Sequence, residues 1–539
     1  MTTKDTMRIG AYGASYMFLG STSATIISAI ATILIARLLG AKDYGVYYLL
    51  ILLCLLFSSL RDIGINVAAT YYVSCVPQHI SKKYATASIF FDLLMGTLIW
   101  GLLIILAPLI GNALGISEMF TLLVISSGLF VGMGLLYTSS GIIIGLEKAN
   151  IASFLMLLCS IIRNALSIIL IFVFPWPVLG ALFGQSMGYF ITGVLGSIYA
   201  LKKTGISFSK LPIKDLLIYG FPYAVYQLAL QASFQIIGII ACPLFGRELF
   251  GAFSTSIYTF SAFVSIASLT GLGLLPAFAK SASNGHGYLT TVKILSVLFV
   301  PISALIVGLA EPIVLVVWGE EYVAAIPFFQ ILFSVFALTV FGLITSDSFL
   351  LGNKKPGIIA LVWIPSIFSG IALSIFLYDY IGPLSFGWGI FLAYLIATFA
   401  ELLIIRIKFH AWIDIHFSIR MLALFSILVI SSNLLLQLLE KSSLNNIINI
   451  ISEHVSNAIQ NALGMMISRT IIEMGIKLIL ALIIVMLIFT ILNILIIRRE
   501  DLMVLRTATY YFPLGSIIRR YIDLIVSIRK KLRIDKEFH

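Results

Sequence analysis

The stretch 11-AYGASYMFLGSTSATIISAIATILIA-36 holds no charge between Arg8 and Arg37. At 26 residues it exceeds the roughly 20 that a helix needs to cross about 30 Å of hydrocarbon. Lys4 and Arg8 precede it, as positive residues precede a signal peptide, but the apolar run is too long and lacks a small-x-small cleavage site. We therefore expect it to remain as a first span. Similar runs recur along nearly the whole chain, which is 60% hydrophobic and only 11% charged, with a mean hydropathy of +1.09. A soluble chain carries about a quarter charged residues and could not cover its surface with so few. Inside a bilayer no water satisfies the backbone, so each run must be helical. The sequence predicts an all-α polytopic membrane protein of about fourteen transmembrane helices, not a soluble enzyme.

Charge fixes the expected orientation. With a cytoplasmic N-terminus, 26 of the 34 Lys and Arg residues fall in cytoplasmic segments and six at the outer side; Arg61 and Arg163 lie inside spans. That asymmetry follows the positive-inside rule and predicts an even number of spans with both termini cytoplasmic, in a cell membrane. The net charge of +11 then reflects anionic inner-leaflet lipid, not nucleic acid. The expected organisation is a cytoplasmic N-terminus (1–10), an N-lobe of six spans (11–207) and a C-lobe of six (208–410). Two further spans (411–497) enclose an outer interfacial helix at about 445–466, where Ile447, Ile451, Val455, Ile459 and Leu463 recur every four residues. A basic cytoplasmic tail (498–539) closes the chain, with Tyr521, Ile525, Ile528 and Leu532 beside six Arg and Lys residues.

The two lobes read as a duplication. The segment 40-GAKDYG-45 has a counterpart in 246-GRELFG-251 at an offset of 206, 145-GLEK-148 aligns with 352-GNKK-355 at 207, and Pro177 with Pro383 at 206. Six spans is an even number, so both copies share one orientation, related by an axis along the membrane normal.

Ionisable groups deep in a span are costly and so are functional candidates. Arg61 and Asp62 in span 2 (46–75), Asp92 in span 3 and Arg163 in span 5 (151–174) qualify. Arg163 lies roughly 18 Å along its helix, near mid-membrane. Two readings stand side by side: Arg163 with Arg61 holds an anionic phosphate headgroup, or the charges form structural pairs, Arg163 with Asp62 or Arg61 with Asp92. Asp62, Asn66 and Thr70 are expected on one helical face. In span 7, Gln227, Gln231 and Gln235 fall in one polar row with Tyr223 and Tyr226 nearby; a cavity wall hydrogen-bonding a sugar would satisfy these amides, and so would a neighbouring helix. Gly180, Gly184 and Gly188 read as a close-packing face. Asp347, Glu401 and Glu311 lie near span ends, where solvation accounts for them.

No phosphate-binding G-x-x-x-x-G-K-[ST] occurs. The six histidines stand in loops or tails, and Cys54, Cys75, Cys159 and Cys242 stand singly, so neither a metal nor a cofactor is expected, nor a disulfide framework. No catalytic acid–base constellation is evident.

The runs 36-ARLLGAKDYGVYYLL-50, 62-DIG-64, 310-AEPIVLVVWGEEYVAAIPFFQIL-332 and 348-SFLLGNKK-355 resemble the polysaccharide-transport branch of the multidrug/oligosaccharidyl-lipid/polysaccharide (MOP) exporter superfamily, the Wzx-like lipid-linked oligosaccharide flippases. The resemblance covers about residues 8–440. It implies two six-helix lobes, alternating access, and a polyprenyl- or dolichyl-linked glycan whose phosphate meets a cationic cavity. Membrane lipids and glycan-assembly enzymes are the partners it implies. A multidrug or cation antiporter of the same fold is the first alternative, and a membrane glycan polymerase or ligase the second. Antiporters of this kind often carry a membrane-embedded carboxylate, which spans 1, 7 and 8 lack in their interiors.

Overall fold

The computed structural model describes residues 3–209, 211–273, 285–353, 355–441, 443–463, 468–496 and 515–531, and its described residues are helical with short turns. They form two compact units, Met1–Ser254 and Thr255–His539.

In the first unit α1 (Thr3–Asp62) runs for 60 residues and is broken at Gly40 (φ 71°, ψ 166°), so the expected spans 1 and 2 share one assigned helix. Ile63 (φ 34°) and Gly64 (φ 75°) then turn the chain into α2 (Ile65–Cys75). The expected span 46–75 is thus two helices, and Asp62 precedes the break, so it does not continue the register of Asn66 and Thr70. There follow α3 (Gln78–Leu114), α4 (Met119–Ile125), α5 (Ser127–Gly145), α6 (Ala149–Ile171), α7 (Pro177–Thr204) and α8 (Ile213–Phe245). Helix α9 (Arg247–Gly273) starts in this unit and continues into the next. The expected glycine face of α7 packs on α6. A Cβ on Gly180, Gly184 or Gly188 would run into the backbone of Leu170, Ser167 or Arg163 respectively.

The second unit contains α10 (Gly285–Gly308), α11 (Ala310–Val317), α12 (Ile326–Ser334), α13 (Thr345–Gly352), α14 (Pro356–Ile381), α15 (Leu384–Phe409), α16 (Ile415–Lys441), α17 (Ser443–Leu463), α18 (Arg469–Ile496) and α19 (Gly515–Lys531). The expected single span 323–351 is divided. Tight 3-10 turns occupy Glu320–Ala325 and Val335–Phe341, and Gly342 (φ 99°) sets α13 apart. A side chain at 342 would collide with the Tyr288 hydroxyl. Phe333 and Phe336 of this irregular segment pack edge-on against Phe260 and Phe263. Helix α19 docks Ile522 and Ile525 against Ile294 and Val297 of α10.

Among the described residues twelve stretches are long and apolar enough to cross a membrane. One is the 40-residue Thr22–Arg61, which Gly40 divides, and the 33-residue α8 adds another helix. Twelve stretches, not fourteen, qualify as candidate spans: expected spans 1 and 2 share one of them, and expected span 7 falls on α8, which is not among them. Positions matched by the expected duplication share backbone angles. Gly40 (φ 71°, ψ 166°) and Gly246 (φ 72°, ψ 165°) adopt one conformation that favours glycine. Lys148 (φ −108°, ψ 48°) and Lys355 (φ −121°, ψ 48°) precede α6 and α14 alike.

Candidate functional site

Helix α6 presents Ser160, Arg163, Asn164 and Ser167 on one side because they recur at helical spacing. The absence of side chains at Gly184 and Gly188 lets α7 lie directly against them. The close approach places Gln185 within reach of Arg163, whose Nη1 donates to Gln185 Oε1 at 2.8 Å. Arg163 Nη2 donates to Ser28 Oγ of α1 at 2.6 Å, and the guanidinium lies 5.3 Å from the centre of the Tyr189 ring. Gln185 Nε2 donates in turn to Asn164 Oδ1 (3.3 Å), Ser28 pairs with Ser160 (2.9 Å), and Ser160 donates to Ala24 O (2.9 Å). Three helices thereby orient one cation, through neutral groups, inside a span. Tyr137 of α5 interacts electrostatically with both Arg163 and Arg61.

Arg61 sits differently. It is 3% exposed, its Nε lies 3.4 Å from Asp92 Oδ1, and its Nη1 donates to Phe130 O at 2.7 Å. Asp92, fully buried, also accepts from the Thr138 hydroxyl. The Arg61–Asp92 pair foreseen as the structural reading is present. Gly134 of α5 makes room for it, since a Cβ there would meet the guanidinium.

Of the expected polar wall, Gln235 is buried on α8, and its Oε1 has no hydrogen-bond partner among the described residues. Asn66 is half-buried on α2, where its carbonyl accepts from Thr70 Oγ1 at 2.8 Å. The side chains of Asp62, Tyr223, Tyr226, Gln227 and Gln231 lie outside the described ones. Helix α8 is continuous through Gln227, Gln231 and Gln235, so the three positions do follow one row.

Solvation does not account for Asp347 and Glu401. Glu401 of α15 is only 1% exposed, and its Oε1 has no hydrogen-bond partner among the described residues. Trp363 Nε1 donates to Asp347 Oδ1 at 3.3 Å. Glu311 is exposed, as expected. Sequence reasoning also passed over Gln185, Asn164, Ser28, Tyr189 and Tyr137. The usable signal was Gln185 standing one residue after a glycine of the close-packing face. Among the described residues no cluster of three potential metal ligands occurs, and the four cysteines are free thiols.

Comparison with known proteins identifies the fold as similar to that of several solved membrane transporters. The chain aligns with the lipid II flippase MurJ over 88% of its length and 97% of that chain, with a TM-score of 0.66 at 15% identity. It aligns with an inward-facing multidrug resistance MATE family transporter of the MOP superfamily over 72% and 94%, with a TM-score of 0.60 at 18% identity. A eukaryotic MATE transporter, AtDTX14, gives 75%, 96%, 0.53 and 14%. Residues 11–246, which contain Arg61, Asp92 and Arg163, match the family described as polysaccharide biosynthesis protein. No curated protein matches the sequence.

Proposed function

We propose that the protein is a flippase, not an enzyme. Its cargo is a glycan linked to polyprenyl or dolichyl phosphate or pyrophosphate, moved from the inner to the outer leaflet by alternating access. The product feeds surface polysaccharide or glycoprotein assembly, with glycan-assembly enzymes as neighbours. The cell membrane holds the protein, with both termini cytoplasmic. One observation carries this reading: Arg163, partly exposed near the middle of α6, is held in orientation by Gln185, Ser28 and Tyr189. An arginine so oriented matches two phosphate oxygens at once, and the matched family and the flippase fold support the same cargo class. Asn66 and the glutamine row of α8 are the groups proposed to meet the sugar. Arg61 acts beneath them through its pair with Asp92.

The assay is transfer of a lipid-linked oligosaccharide in liposomes, scored by headgroup accessible from the opposite side. Wild-type protein is expected to accelerate transfer. Arg163→Ala is expected to reduce it at least about tenfold, equivalent to about 1.4 kcal/mol, with Arg163→Lys partly active because lysine lacks the planar fork. Full activity of Arg163→Ala would remove the headgroup role. Glu401, buried on α15 outside the spans where a coupling carboxylate was first sought, favours a cation antiporter as the second reading. Drug resistance on expression, abolished by Glu401→Gln but not by Arg163→Ala, would select it.

A further inference from the structure

Helix α17 is amphipathic in an inverted sense. Ser452 and Ile448 are buried, and the side-chain oxygens of Asn445 and Asn449 are buried with them, so a mainly polar side faces the protein. Outward stand Ile447 (51% exposed), Ile450 (56%), Ile451 (45%) and Val455 (37%). At about 100° per residue the outward arc divides again. The isoleucines and Val455 fill one half, with His454 among them, while Asn446, Glu453 and Asn457, all exposed, fill the other. A helix in water against a protein buries its apolar stripe, as α19 does with Ile522 and Ile525. Helix α17 has instead three sides: one toward protein, one apolar and one polar.

We infer that α17 lies in the interfacial layer of the bilayer, at the membrane face where α16 ends and α18 begins. Its isoleucine side enters the acyl chains and its Asn446–Glu453–Asn457 side meets the headgroups and water. Lipid is the occupant because the apolar side continues the lipid-type surfaces of its two flanking spans, where Leu434 and Leu438 of α16 and Ile479 and Ile483 of α18 stand equally exposed. Polar ties, one of them from Glu453 at the edge of the polar side, fix what the anchor holds. Arg469 at the start of α18 pairs with Glu453 (3.3 Å) and donates to Asn449 O (3.4 Å), while Ser468 donates to Glu320 (2.6 Å). Helix α17 therefore sets the membrane depth of the α18 entrance and of the turn at 319–322, independently of the cargo.

Site-directed spin labelling of the full chain in phosphatidylcholine–phosphatidylglycerol vesicles tests this. Cys75 is exposed and is replaced by serine; Cys54, Cys159 and Cys242 are buried and do not label. Nitroxides on Ile447→Cys, Ile450→Cys and Ile451→Cys are expected to collide several-fold more with oxygen than with a water-soluble nickel chelate. Asn446→Cys, Glu453→Cys and Asn457→Cys are expected to show the reverse. Equal nickel access at all six positions would put the isoleucine side in water and overturn the inference. Low access to both relaxants at the isoleucines, with spin–spin broadening, would seat a second copy of the chain there and overturn it as well.

Discussion

Asp92 has no exposed surface and Arg61 almost none, so each depends on the other to tolerate its charge. Breaking such a pair from one side leaves an uncompensated buried charge, a cost of about 3–5 kcal/mol, whereas removing both partners is often nearly neutral. Asp92→Ala is therefore expected to lower the thermal midpoint of the detergent-solubilised protein sharply, and Arg61→Met/Asp92→Leu to recover most of it. Arg61→Met with unchanged stability but no transfer activity would instead place Arg61 on the cargo. This pair was legible in the sequence because opposite charges in adjacent spans limit the choices. The Arg163 network was not, since Ser28 and Gln185 are neutral and their contact with Arg163 depends on how closely α6, α7 and α1 approach. Asp347 and Glu401 were misread for a related reason. Hydropathy places a span end only to within a few residues, and a helix turn decides between water and burial.

At the scale of elements, residues that dictate backbone conformation were the readable ones. Gly40 and Gly246 announce breaks, whereas the 3-10 stretch at Val335–Phe341 is apolar but for Thr339 and gives no sign until the packing of Phe333 and Phe336 is seen. The three sides of α17 were half legible: period-four isoleucines show a stripe, but not whether it faces protein or lipid. Helix α16 starts on a titratable device. Asp414 Oδ1 accepts from the Phe417 N–H at 3.0 Å, and Oδ2 lies 2.8 Å from Lys293 Nζ. Burial alone would raise its pKa, but the Lys293 hydrogen bond, the Phe417 amide and the charges of Lys293 and Arg420 together hold it below the ordinary aspartate value. A folded-state pKa below the unfolded one contributes stability above the unfolded value of about 3.9, lost as pH falls through the folded pKa. Asp414→Asn keeps a capping oxygen but loses the charged contact with Lys293, and is expected to destabilise the solubilised protein at pH 7 by up to about 1 kcal/mol. That difference should shrink as unfolding is followed down through pH 4 to 3. No difference at pH 7 would mean that Asp414 acts only as a neutral cap.

For the whole molecule the expected regularity is the duplication, with which the matching backbone angles at Gly40 and Gly246 and at Lys148 and Lys355 agree. If six crossings separate the copies, as proposed, a single orientation measurement fixes both. The chain carries its own reporter: Cys75, the exposed cysteine among three buried ones, stands at the end of α2. Lys441 stands at the end of α16 and is also exposed. The 26-to-6 division of Lys and Arg predicts Cys75 on the cytoplasmic side and Lys441 outside. A membrane-impermeant maleimide applied to intact cells is expected to spare Cys75 until the membrane is permeabilised. With Cys75 replaced by serine, it should label Lys441→Cys at once. The opposite pattern would reverse every crossing and put the anchor of α17 in the inner leaflet. Arg163, near the middle of its span, would keep its depth, but the direction in which the proposed cargo first meets it would be inverted.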